Sequence, residues 1–212
     1  MSGSAAVTVV DLGLGNLGSV LQALVRAGGT PALSADTKVL ASAPRLILPG
    51  VAAFGLGMER AQKLDLLPAL RDALARGAPV LGICLGMQLL FEEGEEDGVR
   101  RGLGLLLGRV TRLPPGVQVP HIGWQQLEQT APSALLDQSR AQTHAPWAYF
   151  ANAYRCEAPA EVTQAVAHHG PVPIAAVVGS GTLYGVQSHP EKSADDGAAL
   201  LARFLALPEG RA

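Results

Sequence analysis

The chain has 212 residues, of which 48% are hydrophobic and 16% charged, with a net charge of −2. That length supports one substantial core, and the low charge with abundant apolar residues excludes intrinsic disorder. The near-neutral balance leaves no electrostatic footprint for nucleic acid or an anionic membrane surface as partner. The opening Met1-Ser2-Gly3-Ser4-Ala5-Ala6 lacks the basic and long apolar regions of a secretory signal. Apolar runs are broken by Gly, Pro or charge well short of the ~18 residues a membrane span needs. Two cysteines are too few for a disulfide framework. A soluble, cytoplasmic protein of one domain over residues 1–212 is expected.

In chain order, the β-branched run 6–10 reads as a buried strand. Residues 16–27 carry Leu17, Val20, Leu21, Leu24 and Val25 at helical spacing, with Gly28 and Gly29 as a stop. A strand is predicted over 45–48, ending at Pro49 and Gly50, and a helix through Leu70, Leu74 and Ala75 to a stop at Gly77. The run 79–83 reads as the next strand and 87–93 as the start of the next helix. The acidic block Glu92, Glu93, Glu95, Glu96 and Asp97 is most simply a solvated turn behind that helix. Strands alternating with helices imply βαβ units and an α/β fold with a mostly parallel sheet. From Gly102 to Val119 helical periodicity fades. Segments 174–178 and 182–187 flank Gly179, Ser180 and Gly181 as a hairpin, so the sheet should gain an antiparallel extension. Residues 198–205 close the chain as a helix.

The chemistry concentrates at two places. An apolar strand runs into Gly82-Ile83-Cys84-Leu85-Gly86, and a helix follows at once. This is the strand–turn–helix pattern of a nucleophile elbow with Cys as nucleophile. Its glycines spare a tight turn from clashes, and the new helix offers the sulfur a partial positive charge that favours thiolate. A buried core cysteine is the plainer alternative, and Cys156 in its featureless context is read that way. A thiolate nucleophile needs a histidine to move protons and a third group to orient it. Of the five histidines, His189 is delivered by an apolar strand, stiffened by Pro190 and followed by Glu191. His121 and His144 lack such a context. His168 and His169 are adjacent but lack metal-ligand spacing, so neither metal nor cofactor is expected.

Together these residues name a family. The strings Leu81–Gln88 and His189-Pro190-Glu191 resemble the class I, triad-type glutamine amidotransferases. The resemblance extends to segments 11–17, 48–55, 120–124, 149–150 and 183–193, which are similar to the glutaminase subunits of imidazole glycerol phosphate synthase. It implies a three-layer fold and a chain that hydrolyses L-glutamine to glutamate and ammonia. The ammonia would pass to a (β/α)8-barrel cyclase subunit in a heterodimer. There it would react with a phosphoribulosyl-formimino aminoimidazole carboxamide ribonucleotide, in histidine biosynthesis. By matching positions, Cys84 would attack the amide, His189 would protonate departing ammonia and Glu191 would orient His189. Leu85 and the Gly50-Val51-Ala52 loop would supply oxyanion donors, and Gln88 would contact glutamine. Asn16, His121, Trp124, Tyr149 and Lys192 would face the partner.

Three positions depart from that pattern. Ala52 stands where Gly is typical, so a peptide flip there would cost more. Asn152-Ala153 replaces His-Ser, and Ser188 replaces an aromatic residue. Competing readings remain. Gly13, Gly15 and Gly18 form a dinucleotide-type fingerprint after the first strand, with Asp36 downstream, although Asp11 would crowd a pyrophosphate. The elbow string also resembles the glutaminase region of CTP synthase and a subunit of pyridoxal phosphate synthesis. A glutaminase-like regulatory module is a non-enzymatic alternative.

Overall fold

β1 (Ala5–Val10) puts Val7 and Val9 on one face of a sheet and Val10 on the other, all fully or nearly buried. The structure is a computed structural model and describes residues 5–137 and 145–209. α1 (Leu17–Arg26) packs its Val20, Ala23 and Leu24 stripe inward, with the Asn16 side chain accepting from the Ser19 N–H at its start. β2 (Gly29–Ser34) then pairs parallel to β1 at the sheet edge. Gly28-Gly29 therefore ends a helix and opens a strand. The strand escaped the sequence pattern because an edge position tolerates Pro31 and half-exposed residues instead of an apolar run.

α2 (Thr37–Ser42) leads to β3 (Leu46–Gly50), all five residues of which are buried. Two helices follow, α3 (Phe54–Lys63) and α4 (Leu66–Ala75). Only the second shows in the sequence, since Gly55 and Gly57 dilute the apolar pattern of α3. β4 (Val80–Cys84) is buried throughout, and α5 (Leu85–Leu89) begins with no intervening loop. α5 is shorter than the helix predicted over 87–93. Segment 102–106 wraps its end, and the N–H groups of Leu103, Leu105 and Leu106 donate to the carbonyls of Leu89 and Leu90. Those carbonyls are the ones a longer helix would have used.

The acidic block is not the solvated turn expected of it. β5 (Glu93–Gly94) and β6 (Arg100–Arg101) form a short ribbon there, joined by β7 (Arg109–Arg112). Glu92 accepts from the Gly108 N–H at 2.8 Å, Glu95 from Arg112 at 2.7 Å and Glu96 from Phe54 at 2.7 Å. Three carboxylates thus serve as acceptors for backbone N–H groups that loops leave unpaired.

The second half supplies β8 (His121–Gln126), β9 (Glu128–Gln129), β10 (Trp147–Asn152), β11 (Tyr154–Glu157), β12 (Thr163–His169), β13 (Val172–Ser180) and β14 (Leu183–Val186). A 3-10 turn over Pro190–Lys192 and α6 (Ala194–Leu205) complete the described chain. The main sheet runs β2-β1-β3-β4-β14-β13-β12-β9. Its first five strands are parallel neighbours and its last three antiparallel ones. Ser180 pairs with Leu183, so the hairpin turn is Gly181-Thr182, with Gly181 at φ 59°. The turn lies beyond the predicted Gly179-Ser180-Gly181, because only Gly181 takes the left-handed conformation a two-residue turn requires.

Helices cover both faces. Leu40, Met58, Leu70, Leu85 and Met87 of α2 to α5 share one core with Leu46, Leu48 and Val80. Leu24 of α1 and Leu201 and Phe204 of α6 share the other with Ile47, Leu81 and Ile83. Leu46, Ile47 and Leu48 alternate between the two cores, which is why the central strands are apolar at every position. β10-β8 and β11-β7-β5-β6 are separate small sheets. No helix among the described residues is long and apolar enough to cross a membrane.

Candidate active site

Parallel strands end on one edge of a sheet, and three such ends meet here. Gly50 of β3 pairs with Cys84 of β4, and Val186 of β14 with Ile83. Two residues past Val186 and Gln187 the chain reaches His189, whose N–H donates to the Tyr149 carbonyl of β10 at 2.8 Å. Cys84 sits at φ 53°, ψ −110°, outside ordinary L-residue conformations, with α5 starting at the next residue. The glycines around it leave no room for a side chain. A Cβ on Gly86 would lie 1.7 Å from the Leu48 carbonyl oxygen, and one on Gly82 2.7 Å from the Gly86 backbone. Such strain, held by central strands on both sides, marks a functional turn.

His189 Nδ1 lies 2.8 Å from Glu191 Oε1, and the two side chains are only 3% and 7% exposed. Glu191 Oε2 is buried with no partner among the described residues. Burial by itself would push the imidazole down, but hydrogen bonds and charge interactions with Cys84 and Glu191 outweigh it and raise its pKa to about 10. The imidazolium form of His189 is therefore favoured between the Cys84 sulfur and the Glu191 carboxyl group, where its proton is placed for transfer.

A cleft of about 140 Å³ opens over Cys84, lined by Val51, Ala52, Leu85, Gln88, Glu96 and residues 151–154. Gln88 is buried, its Nε2 donating to the Tyr154 carbonyl at 3.3 Å and to Gln187 Oε1 at 3.2 Å. Glu96, whose Oε2 takes the Phe54 N–H at the start of α3, brings the cleft its carboxylate.

Residues 8–207 match the family model of glutamine amidotransferase class-I. The chain belongs to the class-I glutamine amidotransferases. The amidotransferase is 47% identical over 202 residues to the imidazole glycerol phosphate synthase subunit HisH of Symbiobacterium thermophilum, covering 94% of this chain and 93% of that one. It is 42% identical over 209 residues to the subunit of the same name from Synechococcus elongatus, covering 97% and 94%. These relatives place it in the HisH branch of the family. The structure of PurLQS from Thermotoga maritima superposes with a TM-score of 0.74 at 20% identity, over 95% of this chain and 98% of that one. The glutaminase domain of Trypanosoma brucei CTPS with bound acivicin does so at 0.65 and 15%, over 94% and 91%. Both show the fold.

Cys84, His189, Glu191, Gly50, Val51, Ala52, Leu85 and Gln88 of the amidotransferase all come together at this strand edge. Val51 and Ala52 are exposed, and Ala52 is not among the residues with positive φ. Of the positions expected to face a partner, Trp124, Tyr149 and Lys192 gather beside the site. The Trp124 and Tyr149 rings meet edge-on at 5.9 Å, and Lys192 Nζ lies 5.9 Å from the Tyr149 centroid. Asn16 ends the loop in which Gly15 abuts Val51. His121 does not join them. It is 1% exposed, stacked between Phe150 and His169 on the inner face of the β8-β10 ribbon. Strand parity places it opposite Trp124, and burial, then His169, lowers its pKa to about 4. His144 lies outside the described residues, as do residues 1–4 of the opening segment.

The departures from the family pattern also have places. Asn152 Nδ2 donates to the Tyr154 carbonyl at 3.0 Å while its Oδ1 is buried and unpartnered. Ser188 is buried and lines a small cavity together with Leu136, Pro146 and Leu200. In the dinucleotide-type loop the Gly13 N–H donates to Asp11 at 2.8 Å, so a carboxylate already occupies the donor a phosphate would need. Cys156 is buried, as expected of a structural cysteine. Two residues escaped the sequence reading. Glu96 was hidden in the acidic block, and Gln187, two positions before His189, carried no signal beyond its place in the strand.

Proposed function

We propose that Cys84, His189 and Glu191 hydrolyse L-glutamine to glutamate and ammonia, and that the ammonia passes to a (β/α)8-barrel cyclase subunit making imidazole glycerol phosphate. The observation that carries this reading is the buried His189–Glu191 pair set beside a strained Cys84 on neighbouring parallel strand ends. The Cys84 thiolate adds to the side-chain amide carbon, and the carbonyl electrons move to oxygen. The Leu85 N–H at the start of α5 and the backbone of Gly50-Val51-Ala52 receive that oxyanion. Collapse breaks the C–N bond as His189 gives its proton to the leaving nitrogen. Water then attacks the thioester with His189 taking its proton, and glutamate leaves as Cys84 regains the electron pair. Glu191 holds Nδ1 throughout. Gln88 contacts the bound amino acid, and the Glu96 carboxylate pairs with its α-ammonium.

Ile122, Trp124 and Trp147 project from the outer face of the β8-β10 ribbon, 63%, 45% and 41% exposed. An apolar aromatic strip next to the catalytic histidine suits a subunit interface, and Asn16, Tyr149 and Lys192 would border it. The whole is read as one cytoplasmic domain, residues 1–212, that works without metal or cofactor of its own. The test is glutamate release by the chain alone and mixed with its cyclase subunit and the ribonucleotide. Release that rises only in the full mixture is expected, with Cys84→Ala abolishing it while ammonia-dependent synthesis by the complex persists. Loss of both activities from a folded complex would refute the assignment of Cys84.

A further inference from the structure

Beside Cys84 lies a fully buried polar side chain that the mechanism above does not use. Gln187 is 0% exposed, and its Nε2 lies 3.9 Å from Cys84 Sγ, within donor range for sulfur. Its orientation is fixed by a chain of partners rather than by itself. The Tyr154 carbonyl can only accept, so Gln88 must turn its NH₂ group toward it, at 3.3 Å. The same Gln88 nitrogen donates to Gln187 Oε1 at 3.2 Å. Cys156 Sγ approaches that oxygen from the other side at 3.8 Å. Burial, then the neighbouring Cys84, raises the Cys156 thiol well above its ordinary value, so it stays protonated and donates. With its oxygen taken by two donors, the Gln187 carboxamide has only its N–H groups left for Cys84.

We propose that Gln187 is a positioning residue for the nucleophile: its N–H donates to the Cys84 sulfur and favours the thiolate, held in that orientation by Gln88 and Cys156. A neutral donor suits this place. A cation would compete with His189 for the sulfur, and a carboxylate would repel the thiolate. Polarising the amide at its oxygen strengthens the bond it makes at its nitrogen. Because Gln88 also lines the cleft, the wall that meets the amino acid is linked through Gln187 to the attacking atom. The inference rests on Cys84 being the nucleophile.

Gln187→Met keeps length and apolar bulk but removes the donor. The readout is iodoacetamide alkylation of Cys84 against pH, followed residue by residue by mass spectrometry on the full chain, together with kcat and KM for glutamine in the complex. The titratable groups facing Cys84 are His189 with Glu191 behind it, Glu96 across the cleft and Cys156 behind Gln187; the substitution leaves the first three in place and takes from Cys156 its acceptor at Gln187 Oε1. The alkylation profile should move up by about one pH unit, with kcat falling about tenfold and KM within roughly threefold. Gln187→Glu should move the profile further in the same direction. Cys156→Ala, which takes away one donor from the amide oxygen, should move it the same way by less. A purely structural role would lower the melting temperature and leave the profile in place. Superimposable profiles for native protein and Gln187→Met would overturn the proposal. Should that variant fail to fold, an unmoved profile in Cys156→Ala does the same. Glutaminase activity that survives Cys84→Ala would instead overturn the reading of the site, and this inference with it.

Discussion

Replacing Glu191 with Gln isolates what the carboxylate charge contributes. The carboxylate sits 2.8 Å from His189 Nδ1, nearly sealed from solvent, so water cannot replace it. A hydrogen bond to a charged group is worth about 1.5–3 kcal/mol and a neutral one about 0.5–1.5. The amide can still accept from Nδ1–H, so the loss is about 1–1.5 kcal/mol, a five- to twelvefold drop in kcat. The charge also acts on proton affinity. Burial lowers the His189 pKa, while Cys84 and Glu191 raise it to about 10 from an ordinary 6.5. The sign follows from that direction. Stability gained by holding the imidazolium is fully present below the unfolded value of 6.5 and is lost as pH rises through about 10. Glu191→Gln removes one of the groups that raises the value. The alkaline limb of kcat/KM should therefore move to lower pH, and the stability advantage on the neutral side should shrink. Steady-state glutaminase assays from about pH 6 to about 10.5, with thermal melts over the same range, provide the measurement. A variant whose rate and alkaline limb both coincide with the native enzyme would refute the role given to Glu191.

Two further outcomes follow from the cleft. Gly86→Ala forces a Cβ to within 1.7 Å of the Leu48 carbonyl oxygen, between two central elements that cannot yield; denaturant melts should show a loss of at least ~3 kcal/mol, or no folded protein. Glu96→Ala should raise KM for glutamine at least about tenfold, as expected for losing a charged pair to the α-ammonium. The same variant should discriminate far less against glutaramate, which lacks that amino group, and an equal loss on both substrates would count against the pairing.

The turn at Cys84 was legible because its pattern is local. Gly82, Cys84 and Gly86 write a sharp strand-to-helix turn into five consecutive residues, and the packing against Leu48 that excludes a Cβ is a consequence of that turn. His189 and Glu191 were legible for a similar reason, being two apart across a proline. The alternation of apolar runs with amphipathic ones likewise announced the parallel half of the sheet. The strand β2 and the helix α3 were not legible, since an edge strand and a glycine-bearing helix lack the apolar periodicity on which such reading depends.

What the tertiary structure alone decided is which of these parts meet. Nothing local says that β14 lies beside β4, yet that parallel pairing brings His189 to Cys84. The acidic block looks like a solvated turn until the β5-β6 ribbon folds back and Glu96 finds the free N–H of Phe54. His121 and Trp124 read alike as partner-facing candidates; strand parity puts them on opposite faces of β8, and only the packing of Phe150 and His169 against one face makes that the buried one. Gln187 is an ordinary polar residue in sequence, but its amide is fully buried, so its partners are Gln88, Cys156 and Cys84. Local chemistry is set by neighbours along the chain. The desolvation and pairing that turn it into a site are set by strands that arrive from elsewhere.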